Sequence, residues 1–169
     1  MMLNFRRALR RAIWLGSGLA LLSSAPALAQ SQGTLVKRSF LTDGTPLPDG
    51  SDVPSGTRIH FLMYLNNKGA LLTDLSARDI LDPAFTYVPG SMRVWNGTVA
   101  CVAANCTPAE EATIYADVKV GVVGTDAVDG DQVAFVGNTF YAGNRHVASL
   151  QFNPTGNRVA ALLLTAEVN

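Results

Sequence analysis

The sequence predicts an all-β protein, an immunoglobulin-like antiparallel β-sandwich that follows an N-terminal signal peptide. Three observations predict it. Beyond Gln30, apolar residues alternate with period two in several stretches, and no helical period lasts longer than a turn or two. Clusters of Gly, Pro, Asn and Asp separate those stretches, and these residue types supply turn conformations. The chain has 169 residues, 48% apolar and 15% charged, which suits one ordered domain whose apolar burial offsets the entropy of folding.

Residues 1–29 have the three parts of a secretory signal. Arg6, Arg7, Arg10 and Arg11 form a basic start, and Ala12 to Leu22 is an uncharged apolar run. Ala27-Leu28-Ala29 then fits the A-x-A pattern, which places cleavage between Ala29 and Gln30. A membrane anchor is the alternative, but crossing a bilayer takes about twenty apolar residues and this run is roughly half that. No Ser precedes the paired arginines and no Phe-Leu-Lys follows, so general secretion is expected rather than twin-arginine export. Whole-chain charge is zero, with 13 basic and 13 acidic residues. Removing the four leader arginines leaves nine basic residues against thirteen acidic, a net charge of −4 for mature residues 30–169. Such a domain lacks the basic footprint that nucleic acid or anionic lipid requires. The mature form is expected to be exported to the periplasm or beyond, soluble and not membrane-spanning.

The elements follow in order. Thr34–Phe40 is the first expected strand, and the Gly- and Pro-rich stretch Thr42 to Pro54 follows it. Arg58–Leu65 alternates clearly: Ile59, Phe61, Met63 and Leu65 point one way, His60, Leu62 and Tyr64 the other. A turn is expected at Asn66 to Gly69. Phe85–Val88 and Met92–Trp95 are short strands around Pro89-Gly90. The one helical start is Thr107-Pro108-Ala109-Glu110, with Thr at the N-cap, Pro at the first position and Glu placed to close a capping box. One turn through Ala112 is expected there, and then a strand over Ile114–Val123. Gln132–Val136 and His146–Phe152 follow, separated from the last strand by Asn153 to Asn157. Arg158–Val168 sets Ala160, Leu162, Leu164 and Ala166 against Val159, Ala161, Leu163 and Thr165. The expected core is Ile59, Phe61, Met63, Leu150, Phe152, Leu162 and Leu164, with Tyr87 to Gly90 closing a strand against it.

Val53-Pro54-Ser55-Gly56-Thr57, the strand to Leu65 and the Asn66-Asn67-Lys68-Gly69 turn carry a family likeness. Asp79-Ile80-Leu81 and Phe85-Thr86-Tyr87-Val88-Pro89-Gly90-Ser91 extend it. Over Leu35 to Ser91 the chain resembles the domain of unknown function eleven, the conserved repeat domain of bacterial exported and cell-surface proteins. The resemblance implies an immunoglobulin-like sandwich with a structural or adhesive role. It departs from the family in carrying a single copy and no attachment signal.

Cys101 and Cys106 are the only cysteines, and an oxidising compartment predicts a disulfide between them. A redox or metal pair is the alternative, although the spacing is not CxxC and no further Cys is present for zinc. Asp126, Asp129 and Asp131 concentrate hard oxygen ligands in one loop, where a structural calcium ion competes with a plain Asp-Gly turn. Lys37 is a candidate for an intramolecular amide bond with Asn66 or Asn169, assisted by Asp79 or Glu167; a solvated strand lysine is the simpler reading. No nucleophile–base, metal-hydrolase or phosphate-loop motif is present. Trp95, Tyr64 and Phe85 read as core rather than a carbohydrate platform. Asn96-Gly97-Thr98 and Asn105-Cys106-Thr107 match glycosylation sequons, which matter only in a eukaryotic secretory pathway.

The function expected from sequence is therefore a non-enzymatic exported structural or interaction module, meeting protein partners or its own copies through a sheet edge. The alternative is a calcium- or glycan-binding accessory domain using the acidic loop or the face of His60, Tyr64 and His146. A small exported enzyme of unrecognised type is third. No cofactor is expected; the one candidate is a structural calcium ion at Asp126, Asp129 and Asp131.

Overall fold

The computed structural model describes residues 34–66, 76–97, 99, 101, 105–143 and 159–169. The expected signal peptide, the Ala29–Gln30 cleavage point, the strand His146–Phe152 and the turn residues 67–69 and 153–157 lie outside these residues. In chain order the first elements are β1 (Thr34–Leu41), β2 (Pro46–Leu47), β3 (Arg58–Asn66), β4 (Ser76–Ile80), β5 (Phe85–Tyr87) and β6 (Arg93–Asn96). Then come α1 (Pro108–Lys119), β7 (Val122–Val123), β8 (Val133–Val136), β9 (Thr139–Gly143) and β10 (Val159–Val168).

The two longest apolar stretches, β3 and β10, pair antiparallel from Val159 opposite Asn66 to Glu167 opposite Arg58. β1 flanks β3, from Thr34 opposite Asn66 to Leu41 opposite Ile59, and β2 flanks β1. On its other side β10 is met by two short strands end to end. β6 covers Ala160 to Leu163 and β5 covers Ala166 to Val168, with the Pro89-Gly90 turn between them. The large sheet runs β2-β1-β3-β10-β6-β7, with β5 beside the far half of β10. A second antiparallel sheet, β4-β9-β8, packs on one face of the first. The protein is an all-β antiparallel sandwich.

The period-two pattern of β3 and β10 feeds two separate cores. Ile59, Phe61, Met63, Ala160, Leu162, Leu164 and Ala166 face the small sheet and meet Leu81, Val133, Phe140 and Ala142. Leu62, Tyr64, Val159, Ala161 and Leu163 face the other way and meet α1 through Ile114, Tyr115 and Val118. His60, on the face opposite Ile59, Phe61 and Met63, is buried because the helix covers that face.

That helix is the main correction to the predicted elements. Ile114–Val123 does not form a strand: α1 continues to Lys119, and only Val122–Val123 is extended. The capping box forms as the sequence predicts. The Thr107 hydroxyl accepts from the Glu110 N–H at 3.3 Å, and the Glu110 carboxylate accepts from the Thr107 N–H at 2.6 Å. Glu111, Ile114, Tyr115 and Val118 are its buried residues, spaced for one helical face. The same segment also alternates at Ile114, Ala116, Val118, Val120 and Val122, so both periods fit and the cap decides. β4 and β9 were not foreseen at all. Each is five residues long; β9 is entered through a Gly137-Asn138 hairpin turn that the expected elements passed over.

Between α1 and β7 the chain passes tightly over β6. A Cβ on Gly121 would lie 2.5 Å from the Val94 carbonyl oxygen and 2.9 Å from that of Val118. Both are backbone atoms held in place, so a side chain fits only if the helix end moves. Gly121→Ala is expected to destabilise the fold by about 1–3 kcal/mol. A urea titration checks this, and an unchanged midpoint refutes the tight junction.

Candidate functional site

The densest polar chemistry among the described residues lies between α1 and the large sheet. Helical spacing puts Glu111 and Tyr115 one turn apart on the buried face, and β-strand alternation puts His60 and Tyr64 beneath them. Glu111 accepts from the Arg38 Nε at 3.0 and 3.2 Å and from the Tyr64 hydroxyl at 2.6 Å. Burial, reinforced by the Glu111 carboxylate, pushes the Tyr64 phenol far above its ordinary range. One turn on, the Tyr115 hydroxyl lies 2.8 Å from His60 Nδ1 and 3.4 Å from the Leu41 and Thr42 carbonyl oxygens. Lys119 Nζ donates to the Thr42 carbonyl at 2.9 Å, so it ties the helix end to the loop after β1.

These side chains hold the helix to the sheet. Tyr64 and Glu111 are buried, and each polar atom named already meets a partner. Arg38 and Lys119 reach solvent, and Arg38 and Glu111 line a cleft of about 400 Å³ between Pro46–Asp49 and Pro108. Sequence reasoning singled out His60 and Tyr64 but missed Arg38, Glu111 and Tyr115. The available signal was the four-residue spacing of Glu111 and Tyr115 just after a capping box.

Burial holds the His60 imidazole below its ordinary value of 6.5, and the nearby Lys119 charge acts in the same direction. The unfolded chain therefore takes up the proton first as pH falls. Stability present above the unfolded value is lost as pH drops through the folded one. Melting temperature should fall on acidification below about pH 6.5. His60→Asn, which keeps an acceptor near Nδ1, should flatten that decline. An identical pH profile for variant and wild type refutes the assignment.

Cys101 and Cys106 form a disulfide, with Cα atoms 4.9 Å apart, at the foot of α1. Both are buried in the core that α1 closes, and the Cys106 backbone lies beside the Tyr64 hydroxyl. Cys101, Cys106 and Glu110 also converge as ligand types. The two sulfurs are bonded to each other, however, and Glu110 closes the helix cap. Chain entropy gives so short a loop about 2 kcal/mol. Replacing both cysteines by serine is expected to lower unfolding free energy by that amount or more, since buried sulfurs become hydroxyls. Denaturant unfolding measures this, and a neutral result rejects a stabilising bridge.

The acidic loop serves the small sheet. Asp126 accepts from the Tyr87 hydroxyl at 2.6 Å and from the Gly90 N–H at 3.0 Å. Burial and that carboxylate raise the Tyr87 phenol to about 12. Asp129 accepts from the Thr125 hydroxyl and the Asp131 N–H, and Asp131 accepts from the Thr125 and Val133 N–H groups. Asp126 is thus turned to the β5–β6 corner, while Asp129 and Asp131 bond donors within the loop and at the start of β8. Hydrogen bonds from Thr125 and Asp131 hold the Asp129 carboxyl below its ordinary value.

Lys37 and Asp79 do meet. The Lys37 ammonium is 2.6 Å from an Asp79 oxygen and 4.6 Å from the Phe61 ring centre, so it bridges the two sheets. Asn66 is not brought to them. It lies three positions beyond Met63, the residue opposite Lys37, and strand alternation assigns it to the α1 face. Asn169 bonds Thr86 and Pro83, and Glu167 pairs with Arg58. Of the expected core aromatics, Tyr64 is buried, while Trp95 and Phe85 pack partly buried against the two cores. His146 lies outside the described residues.

The remaining feature is an exposed apolar edge. Val120, Val122 and Val123 are 84%, 75% and 59% exposed. They border an open groove of about 580 Å³ that Val94, Trp95 and Gly121 also line. No protein-family model matches the chain, and neither does any curated protein or solved structure.

Proposed function

We propose that the protein is a non-enzymatic, exported structural or interaction module of the bacterial envelope or extracellular space, working through an edge of its large sheet. The observation that carries this reading is the distribution of chemistry. The buried polar side chains are spent internally on holding α1, while three exposed valines, Val120, Val122 and Val123, cluster at and just before β7. A disulfide and the leader-like residues 1–29 support export. The resemblance of Leu35 to Ser91 to the domain of unknown function eleven supports the envelope setting.

Expression of the full chain in a bacterial host followed by cross-linking of intact cells tests the proposal. The expected product is an exported chain, shortened by residues 1–29, recovered in protein adducts. Retention in the cytoplasm, or an exported chain that forms no adduct at any concentration, overturns it.

A further inference from the structure

The two ends of α1 are held in different ways. At its start stand the disulfide, the capping box and the Arg38–Glu111–Tyr64 cluster. At its end, Tyr115 and Lys119 hold the loop Thr42 to Thr45, and His60 lies beneath Tyr115 with ring centres 5.8 Å apart. The loop's hold is slight. It consists of the Lys119–Thr42 bond, the 3.4 Å contacts from the Tyr115 hydroxyl, and Gly44, where a Cβ would lie 3.0 Å from the Tyr115 ring. Thr42, Asp43 and Thr45 are exposed.

We infer that this loop is an acid-released latch: protonation of His60 frees Thr42 to Thr45 and the Tyr115–Lys119 turn, while the start of α1 and the β3–β10 pair stay closed. An imidazolium formed in place would be buried, with the Lys119 ammonium 5.7 Å from the centre of the same tyrosine ring. The carboxylates around this face are engaged elsewhere. Glu111 on α1 takes Arg38 and Tyr64, Glu167 on β10 takes Arg58, and Asp43 in the loop takes the Thr45 N–H. Falling pH therefore favours whatever state brings His60 to water. Lifting the loop and its turn breaks two or three polar contacts and leaves the disulfide and both sheets intact, so it precedes unfolding. The latch is thus a local event, separate from the loss of the whole fold.

Amide hydrogen exchange of the full chain tests this, with rates corrected for the intrinsic effect of pH. The Leu41 and Gly44 N–H groups bond within the loop, and the Glu111 N–H bonds Thr107 at the helix start. From about pH 7.5 to about pH 5, exchange at Leu41 and Gly44 should quicken about threefold or more. The ceiling is about thirtyfold, set by an exposed imidazole that titrates near 6.5. Glu111 and the amides of β3 should not follow, and in His60→Asn the loop response should vanish. Equal quickening at loop, Glu111 and β3, no quickening at the loop, or a loop response that His60→Asn retains overturns the latch. If that variant fails to fold, the His60 ring signals of wild type decide by proton NMR. Titration below about 6.5 supports the latch, and titration at or above it overturns it.

Discussion

The β3–β10 pair is the constraint from which the rest of the structure follows. Both strands are apolar on both faces, so their pairing creates a ribbon that one covering layer cannot bury. Leu162 opposite Met63 belongs to one core, and Leu163 opposite Leu62 to the other. A one-residue slip in register would exchange the two sets. The small sheet covers the first face and α1 with the disulfide loop covers the second. The sandwich therefore has a third, helical layer that an ordinary two-sheet design does not need.

The second cover is the more demanding one. A helix of twelve residues is marginal alone, and its stability comes from what it docks against. Ile114 and Val118 supply apolar contact, while Glu111 and Tyr115 bring polar atoms into the same interface. Buried polar groups are tolerated only when they are hydrogen-bonded. Arg38, Tyr64 and His60 meet that condition from the sheet side, and their geometry fixes where the helix sits along it. The disulfide anchors the segment just before the N-cap, so the helix starts from a fixed point. A covalent tie, a capping box and two polar clamps act on one short element.

Much of this was legible in the residues, and the gaps have physical causes. The long strands were plain because Arg58–Asn66 and Val159–Val168 alternate over enough residues for the period to stand out. The helix start was plain because a capping box is a local chemical arrangement. The helix length was not, since Ile114 and Val118 satisfy a period of two and a spacing of four equally well. Among the described residues β4 pairs only with β9, far away in sequence, which no local pattern records, whereas β9 follows β8 through the local Gly137-Asn138 hairpin turn. The site was harder still. Lys37 and Asp79 were named together and do meet, but as a bridge between sheets. Glu111 read as a routine helix acid, because its partners come from strands 47 and 73 residues away.

The acidic loop shows how a charge cluster can serve the fold. Asp126 and Asp131 use a backbone carbonyl and a carboxylate to occupy the outward N–H groups of β8, and Asp126 also holds Tyr87 and Gly90 at the corner between β5 and β6. The loop therefore closes an edge of the small sheet and ties it to the large one. Closing β8 took seven residues, Thr125 to Asp131, with three aspartates. Two prolines blunt β2, and a charged pair guards β4.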